Sequence, residues 1–259
     1  MAEEARYLYS VAKTAIEVNL GEIGIEKKEV FTIPYKDIAA VVHSSLAEPY
    51  DTKDRTRAEE WILEHSYVID QAMKRFESVL PFSFDVILKG DNSAIAGWLE
   101  KNYLVLHKNI EKVEGKAEYG IQIYYNYNDL AGKILEDDPE LKGMKSRIEK
   151  ESKGMGYLLQ KKLDARLKSL ASQKAAELTN QTLGKIKTLA AELKMDDKKR
   201  KADGYKGLTL LVSYICLVAD ENVLQLGETL DEINRREGFR VRFTGPWAPF
   251  SFVDYRELS

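Results

Sequence analysis

Three histidines, at positions 43, 65 and 107, are the residues of this chain best suited to acid–base or metal chemistry. None of them has a cysteine, an aspartate or a second histidine four residues away, the spacing that places two metal ligands on one face of a helix. Adjacent aspartates occur at 137–138 and 196–197, but side chains that are neighbours in sequence point apart and do not form an acid–base couple. The spacing therefore predicts neither a metal centre nor a carboxylate pair.

Motifs that bind phosphate or activate a nucleophile are also missing from the sequence. It contains no Gly-x-Ser-x-Gly, no phosphate-binding glycine-rich loop and no dinucleotide fingerprint. Gly154-Met155-Gly156 lies in a charged, helix-forming setting without a preceding strand, so it does not fit a nucleotide loop. We expect that the protein is not an enzyme and uses no cofactor.

The remaining reactive groups fit structural roles. His65 falls on the apolar face of a helical pattern, which favours a hydrogen-bonded core residue. Cys216 is the only cysteine and lies in an apolar strand-like run, which predicts a buried, unreactive thiol. A single cysteine allows no disulfide within the chain, as is typical of a reducing cytoplasm.

A short aromatic segment near the C-terminus, residues 244–252, is the most distinctive part of the sequence. It holds Pro246 and Pro249, which remove two backbone donors, together with Trp247, Phe250 and Phe252. So many aromatic side chains in one turn either pack back on the body of the protein or contact a partner. Both interpretations, a rigid aromatic plug and a partner-binding turn, remain open. Several tyrosines that could also form a recognition surface lie at positions 7, 9, 124, 125 and 127.

The first part of the chain predicts an α/β unit. Helical spacing of apolar residues covers 54–77, and Asp91 is a suitable N-cap for a second helix. Strand-like runs rich in aromatic and branched residues lie at 7–11, 30–33, 38–42, 82–88 and 117–125. This order of elements favours a small sheet with helices on one face, similar to a ferredoxin-like unit.

The second part begins with a long helical segment. Leucine and isoleucine recur at a spacing of three or four through about 140–203. The basic run 198–201 is flanked by aspartates and is interpreted as a solvated turn. An apolar strand at 208–219, expected to be buried on both faces, a helix from Asp220 and a last strand follow. The sequence thus predicts an α+β chain of two α/β domains, 1–115 and 116–259, the second containing the helical segment.

Composition describes an ordinary globular chain. The net charge is −3, with 44% hydrophobic and 31% charged residues, which argues against a dedicated nucleic-acid binder. The longest apolar run, 208–219, is too short to span a bilayer, and the N-terminal Met-Ala-Glu-Glu does not resemble a signal peptide. We expect a cytoplasmic protein with neither nucleic-acid nor membrane partners.

Four blocks of the sequence resemble the gas vesicle protein GvpF/GvpL family. They lie at 5–11, 33–42, from His65 to 78–84, and 238–253, in the same order as in the family. The chain departs from the family pattern at Ser66 and at 82–85. The resemblance implies two ferredoxin-like α/β domains, the second with a long helical insertion.

The resemblance also implies a function, an accessory or minor structural role in gas vesicle assembly. The expected partners are the small hydrophobic shell subunit (the major shell protein of the GvpA type), bound during nucleation so that its aggregation is limited, and other gas vesicle accessory proteins. The predicted contact surfaces are an edge strand at 6–11, with Tyr7 and Tyr9, and the turn at Pro246, Trp247 and Phe250. The alternatives are a small-molecule-binding regulatory protein with paired ferredoxin-like domains, and an enzyme that works through backbone groups and tyrosines.

Overall fold

A computed structural model of the chain describes residues 3–196 and 204–258. These residues form two compact units. The first unit consists of the chain up to Glu118 together with the segment from Pro246 onward, and the second unit is Tyr119–Gly245. The predicted division at 115/116 differs from this one, because the C-terminal segment belongs to the first unit.

The first unit contains a six-stranded sheet and two long helices. Its sheet order is β2-β3-β4-β1-β5, with β6 also pairing with β1. The strands are β1 Glu4–Lys13, β2 Asn19–Gly21, β3 Val30–Tyr35, β4 Ile38–Leu46, β5 Val79–Pro81 and β6 Ile87–Lys89. The helices are α1 Arg55–Arg75 and α2 Asn92–Val113, and a short 3₁₀ helix covers Ile25–Lys27.

Capping residues fix where the two helices begin. The Asp54 carboxylate accepts hydrogen bonds from the N–H groups of Thr56 and Arg57, and Asp91 accepts one from Ala94. Each carboxylate satisfies donors that the first helical turn leaves unpaired. Both predicted helices are confirmed. The buried face of α1 is Ala58, Trp61, His65, Val68, Ile69 and Ala72.

Strand β1 lies inside the sheet and not at its edge. It pairs antiparallel with β4 on one side, where Tyr7 faces His43, and with β5 and β6 on the other. Residues 5–12 are buried, so both faces of the strand are covered. The prediction of an edge strand at 6–11 is therefore wrong. The predicted strand 82–88 is also wrong, because β5 and β6 are separated by a connection in which Asp85 has a left-handed φ of 70°.

A cluster of tyrosines and histidines occupies the core of the first unit. The Tyr7 hydroxyl accepts a hydrogen bond from the Asp85 N–H (2.9 Å) and contacts His65 Nδ1 at 2.9 Å, while His65 Nε2 lies 3.0 Å from the Phe82 carbonyl oxygen. Because a carbonyl oxygen only accepts, the proton of the neutral imidazole lies on Nε2 and Tyr7 donates to Nδ1. The predicted core role of His65 is confirmed.

His43 holds a matching position beside Tyr9. The Tyr9 hydroxyl accepts from the Ile25 N–H (2.9 Å) and lies 2.7 Å from His43 Nδ1, and the His43 ring stacks on Tyr7 with centroids 4.9 Å apart. In the described part of the chain, His43 Nε2 has no hydrogen-bond partner. Burial lowers the pKa of His43 to about 3 and that of His65 to about 4, and it raises the pKa of both tyrosines.

The second unit combines a four-stranded sheet with a long helical segment. Its sheet order is β10-β7-β9-β8. The strands are β7 Lys116–Tyr125, β8 Ala190–Met195, β9 Thr209–Ala219 and β10 Phe239–Trp247. The helices are α3 Tyr127–Asp137, α4 Pro139–Ile148, α5 Lys153–Leu189 and α6 Asp220–Asn234. This is the order β-α-β-β-α-β with three helices in place of the first one.

The mixed α/β class is confirmed, but two ferredoxin-like domains are not. In the first unit four strands precede α1, which is not the ferredoxin-like order. The helical segment ends at Leu189 rather than near 203, and β8 takes its place. In β9 the first half is only partly buried, contrary to prediction, whereas Cys216 is fully buried as expected. The basic run 198–201 lies outside the described residues.

The buried histidines predict that acid destabilises the protein. Between the ordinary histidine pKa of 6.5 and about 4, the unfolded chain binds protons that the folded chain excludes. The free energy of unfolding therefore falls as the pH is lowered, by up to about 1.4 kcal/mol per pH unit for each buried imidazole. Urea denaturation at pH 7 and pH 5 measures this slope.

His65→Gln is the matched variant, since its amide can replace both hydrogen bonds without titrating. We expect it to be less stable than the unmodified chain at pH 7 but to lose less stability on going to pH 5. Equal losses in the two proteins would show that His65 is not held neutral in the core.

A candidate partner-binding turn

Tyr7 and Tyr9, two of the predicted contact residues, offer no surface to a partner. Both side chains are 0% exposed, and they form part of one buried cluster with Val41, Trp61 and Ala248. Their hydroxyls are already bonded within the core. The structure therefore places them among the residues that hold the first unit together.

The aromatic turn, residues 246–252, is divided between core and surface. Ala248 (3% exposed) and Phe252 (1%) are buried, whereas Trp247 is 50% exposed, Phe250 is 46% exposed, and Pro246 is exposed as well. The plug interpretation thus describes one set of side chains and the contact interpretation describes the other. Trp247 and Phe250 are three residues apart, so they expose two large aromatic side chains on one short turn.

Pro246 lies within strand β10. The strand continues through Pro246 to Trp247. β10 is the terminal strand of its sheet, and Pro246 lies near its end, where a proline removes few of the hydrogen bonds of the sheet.

Short-range hydrogen bonds and one carboxylate fix the shape of the turn. The N–H of Phe250 donates to the Ala248 carbonyl at 2.8 Å, and that of Phe252 donates to the Pro249 carbonyl at 3.0 Å. The Glu118 carboxylate accepts from the N–H (2.7 Å) and the hydroxyl (2.9 Å) of Ser251. A charged acceptor with two donors holds the backbone between the two exposed aromatic side chains and the buried Phe252.

Helix α2 holds the chain that follows the turn. The Asn109 amide donates to the Asp254 carbonyl (3.0 Å) and accepts from the Asp254 N–H (2.9 Å), while Lys112 Nζ donates to the Phe252 carbonyl (2.8 Å). An amide that pairs with both backbone groups of one residue imitates a strand neighbour. The segment is therefore anchored at Ser251 and at the residues that follow it.

Tyr255 completes the anchor. Its ring stacks on Phe82 with centroids 4.4 Å apart, and its hydroxyl donates to the Pro81 carbonyl at 2.9 Å. Burial raises the pKa of Tyr255, so the hydroxyl keeps its proton and remains a donor. These partners were not foreseen from the sequence, because Pro81, Asn109 and Glu118 are far from the turn along the chain.

The polar groups of the turn serve its internal structure. Its only hydroxyl on a small side chain, that of Ser251, is bonded to a carboxylate and has no histidine beside it. In residues 3–196 and 204–258 no three His, Cys, Asp or Glu side chains are grouped so as to hold a metal ion. Over the same residues, no helix combines the length and the apolarity needed to cross a membrane.

Removing the Glu118 carboxylate is expected to loosen the turn. Glu118→Ala leaves the Ser251 donors without their charged acceptor, and hydrogen bonds to charged groups contribute about 1.5–3 kcal/mol. We expect a loss of that size in the free energy of unfolding, measured by urea denaturation. Glu48→Ala, at an exposed glutamate, is the control and should change stability by less than about 0.5 kcal/mol. Equal effects of the two substitutions would contradict the anchoring role of Glu118.

Comparison with known proteins connects this turn to one family. The family model described as gas vesicle synthesis protein GvpL/GvpF matches residues 5–254. Gas vesicle protein L of Haloferax mediterranei is 30% identical over 91% of this chain and 74% of its own length. Gas vesicle protein L1 of Halobacterium salinarum is 29% identical over 96% of this chain and 90% of its own length.

A solved structure has the same fold. The crystal structure of the gas vesicle protein GvpF from Anabaena sp. PCC7120 superposes with a TM-score of 0.69 at 18% identity, covering 97% of this chain and 98% of that one. The family match extends over both units and includes the aromatic turn. The chain belongs to the GvpL/GvpF family of gas vesicle proteins.

Proposed function

We propose that this protein assists gas vesicle assembly by binding the small hydrophobic shell subunit of the GvpA type during nucleation and so limits its aggregation. The observation that supports this proposal most directly is the exposure of Trp247 and Phe250 on a turn whose backbone is held by its own hydrogen bonds and by the Glu118 carboxylate. Other gas vesicle accessory proteins are further proposed partners. The proposed location is the cytoplasm, in association with gas vesicles.

Physical chemistry gives a reason for such a helper. A subunit that polymerises into a gas-facing shell carries a large apolar surface, and before assembly that surface favours non-specific aggregation. A soluble protein that covers part of it lowers the concentration of free apolar surface. Family membership agrees with this role, because GvpL/GvpF is a family of gas vesicle proteins and not a family of enzymes.

The fixed backbone of the turn favours binding over simple packing. Aromatic side chains bury a large area with few rotatable bonds, so they lose little entropy when a partner covers them. Anchoring by Glu118 and Asn109 has already ordered the backbone in the free protein. Most of the favourable energy of covering Trp247 and Phe250 is then available for association.

Replacing the two exposed aromatic residues should weaken capture of the shell subunit. We expect Trp247→Ser with Phe250→Ser to lower the amount of co-expressed shell subunit recovered in the soluble fraction at least about tenfold, since buried aromatic anchors carry most of the energy of an interface. Quantitative immunoblotting of the soluble fraction and of material purified through a tag on this chain measures the effect.

Leu104→Ser is the matched control, because Leu104 is 81% exposed on helix α2 of the same unit. Both variants should unfold within about 0.5 kcal/mol of the unmodified chain. The proposal is wrong if the unmodified chain neither binds the subunit nor raises its solubility, and the assignment to the turn is wrong if the double variant captures as much as the control.

A further inference from the structure

Strand β10 ends the sheet of the second unit, and its pairing with β7 can be derived from individual contacts. The Asn126 N–H donates to the Gly238 carbonyl (2.8 Å), Arg242 Nη1 lies 3.3 Å from Gln122 Oε1, and Thr244 Oγ1 lies 3.5 Å from the Gly120 carbonyl. Residues that come later in β10 thus contact residues that come earlier in β7. The two strands are therefore antiparallel.

This register tells which backbone groups of β10 point away from the sheet. In an antiparallel pair, alternate residues exchange both backbone hydrogen bonds with the neighbouring strand. Because Gly238 pairs with β7, the positions two, four and six residues later also face β7, and Val241, Phe243 and Gly245 face outward. The Val241 N–H confirms this direction, since it is bonded to Asn234 Oδ1 at 3.0 Å on the outer side.

The outer edge is protected at its start and open further along. Asn234, at the end of helix α6, caps the Val241 N–H. In the described part of the chain, no strand lies beyond β10. Among these residues, the N–H groups of Phe243 and Gly245 have no hydrogen-bond acceptor outside the sheet. A row of such groups is a template for another extended segment.

The side chains along the edge have different chemistry on its two faces. Arg240 and Arg242 lie on one face, and neither forms an ion pair with a carboxylate in the described residues. Val241 and Phe243 lie on the other face, where Phe243 stacks on Tyr119 with centroids 5.2 Å apart. A strand that adds here meets two guanidinium groups on one side and an apolar surface on the other.

We infer that residues 241–245 form an edge to which an extended partner segment adds as a strand, with carboxylate side chains over Arg240 and Arg242 and apolar side chains over Val241 and Phe243. The identity of the partner rests on the proposed function: it is the shell subunit. A second copy of this chain fits less well, because antiparallel pairing of β10 with itself places four arginines on one face, and like charges across a strand pair repel.

Hydrogen–deuterium exchange of the full-length chain, alone and in complex with the co-expressed shell subunit, tests this inference. The N–H groups of Phe243 and Gly245 should exchange at least about tenfold more slowly in the complex, because they gain strand partners. Those of Arg242 and Thr244, which already face β7, should change little. This alternation distinguishes strand addition from general shielding of the surface.

Charge reversal gives a second readout. Arg240→Glu should lower capture of the subunit about threefold or more, since it turns an attractive cross-strand pair into a repulsive one. Lys168→Glu, at an exposed position of helix α5, makes the same change in net charge and should leave capture unchanged.

Capture of the subunit without slower exchange at Phe243 and Gly245 overturns the inference and leaves the proposed function standing. Absence of capture overturns the proposed function and the inference with it. Slower exchange that appears in the free chain as its concentration rises, together with the mass of a dimer, assigns the edge to a second copy and also overturns the inference.

Discussion

Burial of β1 on both of its faces is the constraint on which the first unit depends. A strand covered on both sides has no exposed side for its polar side chains, so the Tyr7 and Tyr9 hydroxyls need partners within the core. His43 and His65 supply them, and backbone N–H groups of the neighbouring loops donate to the same hydroxyls. The network therefore joins sheet, helix α1 and loops, and it specifies one arrangement of them more strongly than apolar packing alone would do.

The C-terminal segment contributes to both the core and the surface of the first unit. Ala248, Phe252 and Tyr255 complete the first unit, and the same backbone holds Trp247 and Phe250 at the surface. Trp247 is next to the buried Ala248, and Phe250 is two residues before the buried Phe252. The packing of the core therefore sets the positions of both exposed residues. The backbone of the turn is held in place by hydrogen bonds to α2, to β5 and to Glu118.

Local signals in the sequence predicted local structure well and long-range structure poorly. The aspartates that cap α1 and α2 and the apolar period of α1 were evident from residue type and spacing. The position of β1 inside its sheet was not, because strand order depends on pairing between distant segments. Residues 190–195 consist of good helix formers, yet they pair with β9 as a strand, since tertiary pairing overrides propensity. The Glu118–Ser251 bond links residues that no motif connects.

The first unit is made from two pieces of chain, and the whole of the second unit lies between them in sequence. During translation, α1, α2 and all six strands of the first sheet leave the ribosome well before Ala248 and Phe252 are added. A chain that stops within the second unit keeps an open core and is exposed to chaperones and proteases. The Trp247 and Phe250 surface exists only on chains that have been translated past that point. Completion of the first unit therefore depends on translation of the whole second unit.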